Sequence, residues 1–320
     1  MSYMDIKDKK LIYELELDAR ASFAKIGKKI GLSKETVINR VKRLENQGII
    51  GGYNAIVNIA KLGFTGYAVF VRFENTTEKI KKELIEYIKK NNRVYWVALL
   101  GGNYDLLFAI HAKTILEFNS VYTKIQNKYG RYLRDNVISI RSQVSQFHRG
   151  YLVGKKEVGK APYFGKEISI EELDDTDKKI INTISGSGRI NVVDLSQKIK
   201  VARTTVHNRI KNLEKRGIMQ SYSALIHPEN YDYQLYQLMI IVRSVNEKLK
   251  SKMYAFALYN PNINFYVDCV GKWNFELSCE VKSQKELQEL MLSLRSSFPE
   301  IVGIELVITF DYYLKYRWYV

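Results

Sequence analysis

The chain has 320 residues, 46% of them hydrophobic and only four of them proline, so we expect a folded protein of about two to three domains. A formal net charge of +16 favours a polyanionic partner such as nucleic acid, or an acidic membrane surface. Cys269 and Cys279 lack metal-ligand spacing, and no apolar run approaches the ~18 residues of a membrane span. These features predict a cytoplasmic protein with no metal site and no cofactor. Of the two polyanionic partners we favour nucleic acid, and we expect no membrane contact.

The first sixty residues predict three helices and a strand. Asp5 can cap a helix over residues 5–18, and a short second helix is expected over Phe23–Ile30. Ser33 is a plausible N-cap for a third helix, which Gly48 ends. Ile49–Val57 then alternates in polarity and predicts a β-hairpin or wing. This order is typical of a DNA-binding helix-turn-helix.

The third helix is predicted to have two different sides. At 100° per residue, Val37, Val41 and Leu44 share one stripe, which is expected to pack. The opposite side is polar and includes Asn39 and Arg43, so it is free to enter a DNA groove.

Residues 66–145 change to the order strand, helix, strand, strand, helix, strand, which is the ferredoxin-like βαββαβ unit. Everything described so far then occurs again at a constant offset of 169. Nine of 17 positions are identical between SKETVINRVKRLENQGI at Ser33–Ile49 and ARTTVHNRIKNLEKRGI at Ala202–Ile218. The fold class is therefore α+β with an internal duplication. The predicted domains are two winged helix-turn-helix domains at 1–60 and 174–229, two ferredoxin-like domains at 61–151 and 230–320, and a linker at 152–173.

The exposed residues of the two third helices are the candidate DNA contacts. Base edges would be reached from the N-terminal part of each helix, and Lys, Arg and hydroxyl groups would bind phosphates. In the first copy these residues are Ser33, Lys34, Glu35, Thr36, Asn39, Arg40 and Arg43; in the second they are Arg203, Thr204, Thr205, Asn208, Arg209 and Asn212. The alternative is a solvated charged face on a domain that binds protein.

This order of domains, together with the motifs DxKxI, LSKETVINRVKRLENQGII, GYNA and GxYD, resembles the Lrp/AsnC (feast/famine) regulators. The resemblance covers nearly the whole chain, twice, apart from the linker. It implies that the ferredoxin-like domains are RAM domains, which in that family dimerise and can bind amino acids. Because single-unit members form dimers that assemble further, two fused units imply an intrachain pseudo-dimer with further homo-oligomerisation.

The resemblance also implies an effector site in the loop GGNYDLL. The family's pocket motif maps onto Gly102, Asn103, Tyr104 and Asp105, where Asp105 could take an ammonium group. In the second copy the loop reads Gly271, Lys272, Trp273 and Asn274, so the carboxylate is replaced by an amide. The alternative is a tight turn in which Tyr104 and Trp273 are packing residues.

We therefore predict a sequence-specific transcription regulator, not an enzyme, whose paired RAM domains set the spacing of two heads on double-stranded DNA. The four histidines, His111, His148, His207 and His227, stand far apart and do not indicate a catalytic or metal site. One rival is an enzyme, because siroheme decarboxylases resemble the same layout, although the sequence shows no His- and Arg-rich tetrapyrrole pocket. The other is an architectural protein that coats DNA with little sequence preference.

Overall fold

The computed structural model describes residues 4–154, 161–166 and 169–314, with main chain only at 313–314, so part of the predicted linker lies outside it. The first helix-turn-helix domain forms as predicted. The Asp5 carboxylate accepts a hydrogen bond from the Asp8 N–H at 2.8 Å, and the Ser33 hydroxyl accepts one from the Thr36 N–H at 3.1 Å. Gly48 ends the third helix with a φ of +68°. The elements are α1 (Ile6–Leu17), α2 (Phe23–Ile30), α3 (Lys34–Asn46) and β1 (Ile50–Val57).

The first ferredoxin-like domain follows in the predicted order. Its helices bury one face against the sheet and begin at side-chain caps from Thr77 and Thr114. Its elements are β2 (Thr65–Phe73), α4 (Glu78–Lys90), β3 (Val94–Gly102), β4 (Leu106–Ala112), α5 (Ile115–Tyr129) and β5 (Leu133–Gln146).

The second repeat has the same succession of elements. The predicted linker contributes a short strand that pairs with β5, so it is not a free tether along its whole length. The elements are β6 (Tyr163–Gly165), α6 (Asp175–Ile184), α7 (Val192–Ile199), α8 (Arg203–Lys215), β7 (Met219–Ile226), β8 (Gln234–Val242), α9 (Glu247–Tyr259), β9 (Ile263–Val270), β10 (Phe275–Val281), α10 (Gln284–Ser297) and β11 (Ile301–Leu314).

The strands that follow the two third helices, β1 and β7, pair with each other in antiparallel register. We call them the wings. Asn54 faces Ser223, and because these positions are 169 apart, a pseudo-twofold axis passes through the pair. The strand was predicted correctly, but the hairpin alternative is wrong, since the partner of β1 lies in the other repeat.

Backbone hydrogen bonds around the wings repeat the same symmetry. The Ala19 N–H donates to the Tyr222 carbonyl, and the equivalent Gly188 N–H donates to the Tyr53 carbonyl, both at 2.8 Å. Each helix-turn-helix domain is thereby joined to the wing of the other.

The two ferredoxin-like domains form one continuous sheet. The strand order β2-β4-β3-β11-β8-β10-β9-β5 returns to β2 through an additional β2–β5 pairing, so these strands close into a ring. The long strands β5 and β11 make this possible, because each pairs with its own domain along one part and with the other domain along the rest. The pairing within the chain gives the pseudo-dimer that the duplication implied.

Three kinds of hydrophobic core hold this arrangement together. Each ferredoxin-like domain packs its own helices on the outer face of the sheet, around Phe108 in the first and Phe275 in the second. Inside the ring, residues of both domains share one core, including Phe70 and Trp273. The helix-turn-helix domains have cores that contain residues of the opposite repeat, such as Ala55 with Ile181.

Candidate DNA-binding surface and buried polar sites

The outer side of α3 carries the predicted contacts of the first helix-turn-helix domain. Ser33, Lys34, Glu35 and Asn39 are exposed, and Thr36 is half-buried beside the helix cap. On the opposite side of α3 the apolar stripe is buried, as its spacing predicted. Hydroxyl, amide and ammonium groups therefore lie together on one solvent-facing surface.

The equivalent surface of α8 is also exposed. The predicted contacts that face solvent there are Arg203, Thr204, Thr205, Asn208 and Asn212. Its cap differs from that of α3, because Ala202 replaces Ser33 and has no side-chain hydrogen bond to offer the first turn. Such caps typically contribute about 1 kcal/mol to helix stability, so the second domain lacks a stabilising contact that the first has.

Three of the predicted DNA contacts are arginines that form ion pairs within their own domain. Arg40 donates through Nη1 to Asp5 and to Asp8, at 2.8 Å in each ion pair. Arg43 also binds Asp8, whose side chain is fully buried. In this conformation these guanidinium groups connect α3 to the first helix.

The second repeat keeps two of these three ion pairs. Arg209 is equivalent to Arg40, and it binds Asp174 at 2.8 Å and Asp177 at 3.5 Å. Arg43 has no such equivalent, because Asn212 occupies that position. The shared arginine therefore has a structural task in both domains, whatever else it contacts.

The predicted effector loop lies between β3 and β4. Gly102 adopts a φ of +107°, and a Cβ there would come within 2.9 Å of the Leu306 carbonyl oxygen. Tyr104 is buried, and its hydroxyl donates to Glu305 at 3.1 Å. Asn103 is exposed, and Asp105 is half-buried.

Asp105 and its counterpart Asn274 make the same backbone contact. The Asp105 carboxylate accepts a hydrogen bond from the Phe73 N–H at 2.7 Å, and the Asn274 side-chain oxygen accepts one from the Val242 N–H at 3.0 Å. The contact needs an oxygen acceptor but no charge. The geometry thus explains the turn in both copies, and ammonium binding by Asp105 stays a prediction.

The remaining residues of the second loop are also held in place. Gly271 adopts a φ of +159°, and Lys272 forms an ion pair with Glu305 at 2.7 Å. Trp273 is fully buried and donates its indole N–H to Glu276 at 3.1 Å. The packing role considered for Trp273 is therefore observed.

A buried ionic cluster connects three parts of the chain around Arg149, which follows β5. Arg149 binds Glu280 on β10 at 2.7 Å and also binds Glu16 on α1. Burial raises the pKa of Glu16, and the charge of Arg149 opposes that rise. Tyr151 donates its hydroxyl to Glu280. The cluster joins the first helix-turn-helix domain to the second ferredoxin-like domain.

Neither this cluster nor the cavity beside it was predicted from the sequence. Glu276, Ser278 and Glu280 alternate along β10, a pattern normally read as the solvent-facing side of a strand. Instead, the three residues line a cavity of about 110 Å³ between the ring of strands and the wings. The feature that could have indicated a buried polar site is the charged face of a strand whose other residues are apolar.

The described ranges contain no helix long and apolar enough to cross a bilayer. Within the same ranges, no group of three or more His, Cys, Asp or Glu side chains is placed to hold a metal ion.

Comparison with known proteins bears on both repeats. The family model described as the AsnC-type helix-turn-helix domain matches residues 4–45, and a winged helix-turn-helix DNA-binding model matches residues 173–218. Among solved structures, the siroheme decarboxylase NirDL aligns with a TM-score of 0.62 at 12% identity, covering 97% of this chain and 92% of that one. At this identity the likeness concerns the fold alone.

The sequence relatives each match a stretch of this chain that is shorter than one repeat. An uncharacterised HTH-type transcriptional regulator of Pyrococcus furiosus is 34% identical over 120 residues, which are 37% of this chain and 79% of the relative. The HTH-type transcriptional regulator LrpA of Pyrococcus horikoshii is 33% identical over 128 residues, 40% of this chain and 87% of the relative. With two matching helix-turn-helix domains and relatives covered over most of their length, the chain belongs to the Lrp/AsnC family of helix-turn-helix transcriptional regulators.

Proposed function

We propose that this protein is a sequence-specific transcription regulator and that one chain binds two unequal half-sites on double-stranded DNA. The observation that carries the proposal is the pairing of the wings about Asn54 and Ser223, which relates α3 and α8 by a pseudo-twofold axis. Paired helix-turn-helix domains place their recognition helices, which are α3 and α8 in this chain, in successive major grooves about one helical turn apart. An imperfectly palindromic site suits this arrangement.

The two exposed surfaces support unequal half-sites. Asn39 and Asn208 occupy equivalent positions, and an amide can form two hydrogen bonds with an adenine edge. The neighbouring Glu35 is replaced by Thr204, which removes a negative charge from the second surface. The half-sites should then share one base preference and differ in another.

Footprinting on genomic DNA, followed by affinity measurements over a salt series, tests this proposal. Asn39→Ala should weaken the free energy of binding to the protein's preferred site by about 1–3 kcal/mol, because it removes a base contact. Its effect on binding to random DNA should be small. Lys34→Ala should weaken binding to the preferred site and to random DNA equally, because it removes a phosphate contact. It should also reduce the slope of log affinity against log salt by about one. Lys285→Ala is the matched control, since Lys285 is exposed on α10 and lies in the other domain type.

Two results would overturn the proposal. One is an affinity that does not change with salt, because phosphate contacts release counterions. The other is equal, uniform weakening by Asn39→Ala and Lys34→Ala on all sequences. A footprint that spreads with protein concentration instead of stopping at one site would favour the architectural alternative.

An amino-acid effector at the loop Gly102–Asp105 is the finer part of the proposal. Its support is the motif itself and the half-buried carboxylate beside exposed Asn103. Asp105→Asn is a matched variant, because Asn274 makes the same backbone hydrogen bond in the other repeat. Calorimetry with a panel of amino acids should give heat with the native chain and none with the variant. If no amino acid gives heat, the loop is a turn only.

A siroheme decarboxylase is the second candidate, favoured by the likeness of NirDL over nearly the whole chain. The charges of the cavity argue against it, because a decarboxylase substrate carries carboxylates, and the two arginines that line the cavity are already paired with Glu276 and Glu280. Incubating the protein with siroheme and following carbon dioxide release by mass spectrometry separates the two functions.

Further self-association of the fused pairs is also proposed, as the family resemblance implied. Light scattering of the purified chain over a concentration series measures it directly. A mass of one chain at all concentrations would reject it.

A further inference from the structure

The cavity beside β10 is built from both repeats, and the wings form part of its lining. Tyr95 and Trp96 reach it from β3, and Asn264 and Phe265 reach it from β9, at positions that are equivalent in the two repeats. The wing residues in the lining include Ile226. At about 110 Å³ it exceeds by several-fold the roughly 10–15 Å³ that one water molecule needs.

Several buried polar atoms on its walls have no hydrogen-bond partner in the described part of the chain. They are both amide atoms of Gln237, Oδ1 of Asn264, Nε of Arg141 and the indole nitrogen of Trp96. Gln237, Asn264 and Arg141 are 1%, 4% and 6% exposed. Folded proteins satisfy the great majority of such groups, because an unpaired buried polar atom is destabilising. A concentration of them around one cavity indicates a ligand that completes their hydrogen bonds.

The fold itself does not require this polarity. The residues 169 positions from Gln237, Glu276 and Arg141 are Ala68, Leu107 and Phe310, all of them apolar. The same strands therefore form in the other repeat with apolar side chains at these places. Polar residues at these three places therefore occur on only one side of the pseudo-twofold axis.

The charges on the cavity wall cancel in pairs. Arg141 binds Glu276 at 2.8 Å, and Arg149 binds Glu280 at 2.7 Å. No unbalanced charge among the lining residues is left to neutralise a charged ligand, and the transfer of an unpaired charge into such a site is strongly unfavourable. The walls that remain are largely apolar, and they include the aromatic rings of Trp96, Phe147 and Phe265.

We propose that this cavity is a binding site for an uncharged, flat molecule that carries adjacent hydrogen-bond donors and acceptors, such as an aromatic carboxamide or a nitrogen heterocycle. Gln237 supplies a donor and an acceptor, Asn264 an acceptor, and Arg141 and Trp96 donors. The site is distinct from the loop at residues 102–105, which does not contribute to its lining.

Benzamide, nicotinamide, benzoate and benzylamine are suitable probes, because they share a flat ring and differ in charge. Titration of the full chain, followed by calorimetry and ligand-observed NMR, should show that benzamide or nicotinamide binds at one site per chain. The two charged probes should bind at least about tenfold more weakly, since nothing in the cavity offsets their charge. Failure of both uncharged probes to bind at about 10 mM, or equal binding of the charged ones, would overturn the proposal.

Gln237→Leu separates a ligand site from an imperfectly packed interior. This variant should lose at least about tenfold in probe affinity and gain in Tm, because it removes unpaired polar atoms from the interior. Gln143→Leu is the matched control: Gln143 is equally buried but donates to the Ser145 hydroxyl at 2.9 Å and does not line the cavity. It should lower Tm and leave probe binding unchanged. Unchanged probe affinity in Gln237→Leu would reject the site, and these measurements do not depend on DNA binding.

Discussion

Asn54 in the first wing lies directly opposite Ser223 in the second, and the two residues hold the same position in their repeats. Both side chains are buried, and directly opposed residues of antiparallel strands have their side chains on the same face. Their Cα atoms are expected to be about 4.5–5.5 Å apart, which a disulfide can span. The pair therefore gives a direct test of the intrachain pseudo-dimer.

The double variant Asn54→Cys/Ser223→Cys should form a disulfide within one polypeptide on mild oxidation. Gel mobility should change with reductant while the mass stays that of one chain. Asn54→Cys with Ser221→Cys is the control, because Ser221 faces Ile56 and is out of register. A cross-linked species of two chains would show that the wings pair between molecules.

Arg40→Ala should destabilise the first helix-turn-helix domain by about 1–3 kcal/mol, because Asp8 is fully buried and would lose an ionic hydrogen bond. Lys34→Ala should change stability by less than about 0.5 kcal/mol, since Lys34 is exposed. Urea unfolding of both variants measures the difference. If the two variants are equally stable, Arg40 does not stabilise the domain and is free to contact DNA.

Arg149→Met should lower the free energy of unfolding by about 3–5 kcal/mol, because it leaves Glu16 and Glu280 buried without their cation. The folded state of the variant should hold a proton on Glu16 more tightly than the unfolded state does. A carboxyl with a raised pKa contributes stability at low pH, and this contribution is lost as the pH rises. The loss of stability caused by Arg149→Met should therefore be smaller at about pH 5 than at about pH 8. Denaturant midpoints at both pH values test this, and a penalty independent of pH would contradict it.

His148 should make the fold sensitive to acid. Its burial, together with the neighbouring charge of Arg149, lowers its pKa from 6.5 to about 4. The unfolded chain therefore binds a proton in this interval that the folded chain does not, and stability should fall by about 3 kcal/mol as the pH drops from 6.5 to 4. His148→Asn should remove that part of the pH dependence. If the variant and the native chain have parallel stability profiles, His148 does not titrate as inferred.

Local chemistry made much of the fold predictable. The second helix has the predicted bounds, Phe23–Ile30, because its apolar spacing and its flanking residues agree. Caps at Asp5 and Ser33 were evident, since a side-chain oxygen at these positions satisfies backbone donors within three residues. The duplication predicted the pairing of the two units.

Non-local pairing was not predictable in the same way. The partner of β1 lies about 170 residues away, and alternation along a strand does not identify its neighbour. The ion pairs of Arg40 were hidden for a similar reason, because an arginine on a polar helix face can reach either DNA or the first helix. Alternation along β10 would place its polar face toward solvent, whereas its burial depends on how the strands of the two domains close into a ring. The cavity residues were missed for that reason.

The wings pair within one polypeptide, so their association is unimolecular. A pair of helix-turn-helix domains made from separate chains would separate on dilution, and its occupancy of DNA would depend on the dimerisation constant. Here the second domain remains at a fixed, high effective concentration beside the first. Occupancy of a two-part operator should therefore rise with the first power of the protein concentration, even when few copies are present.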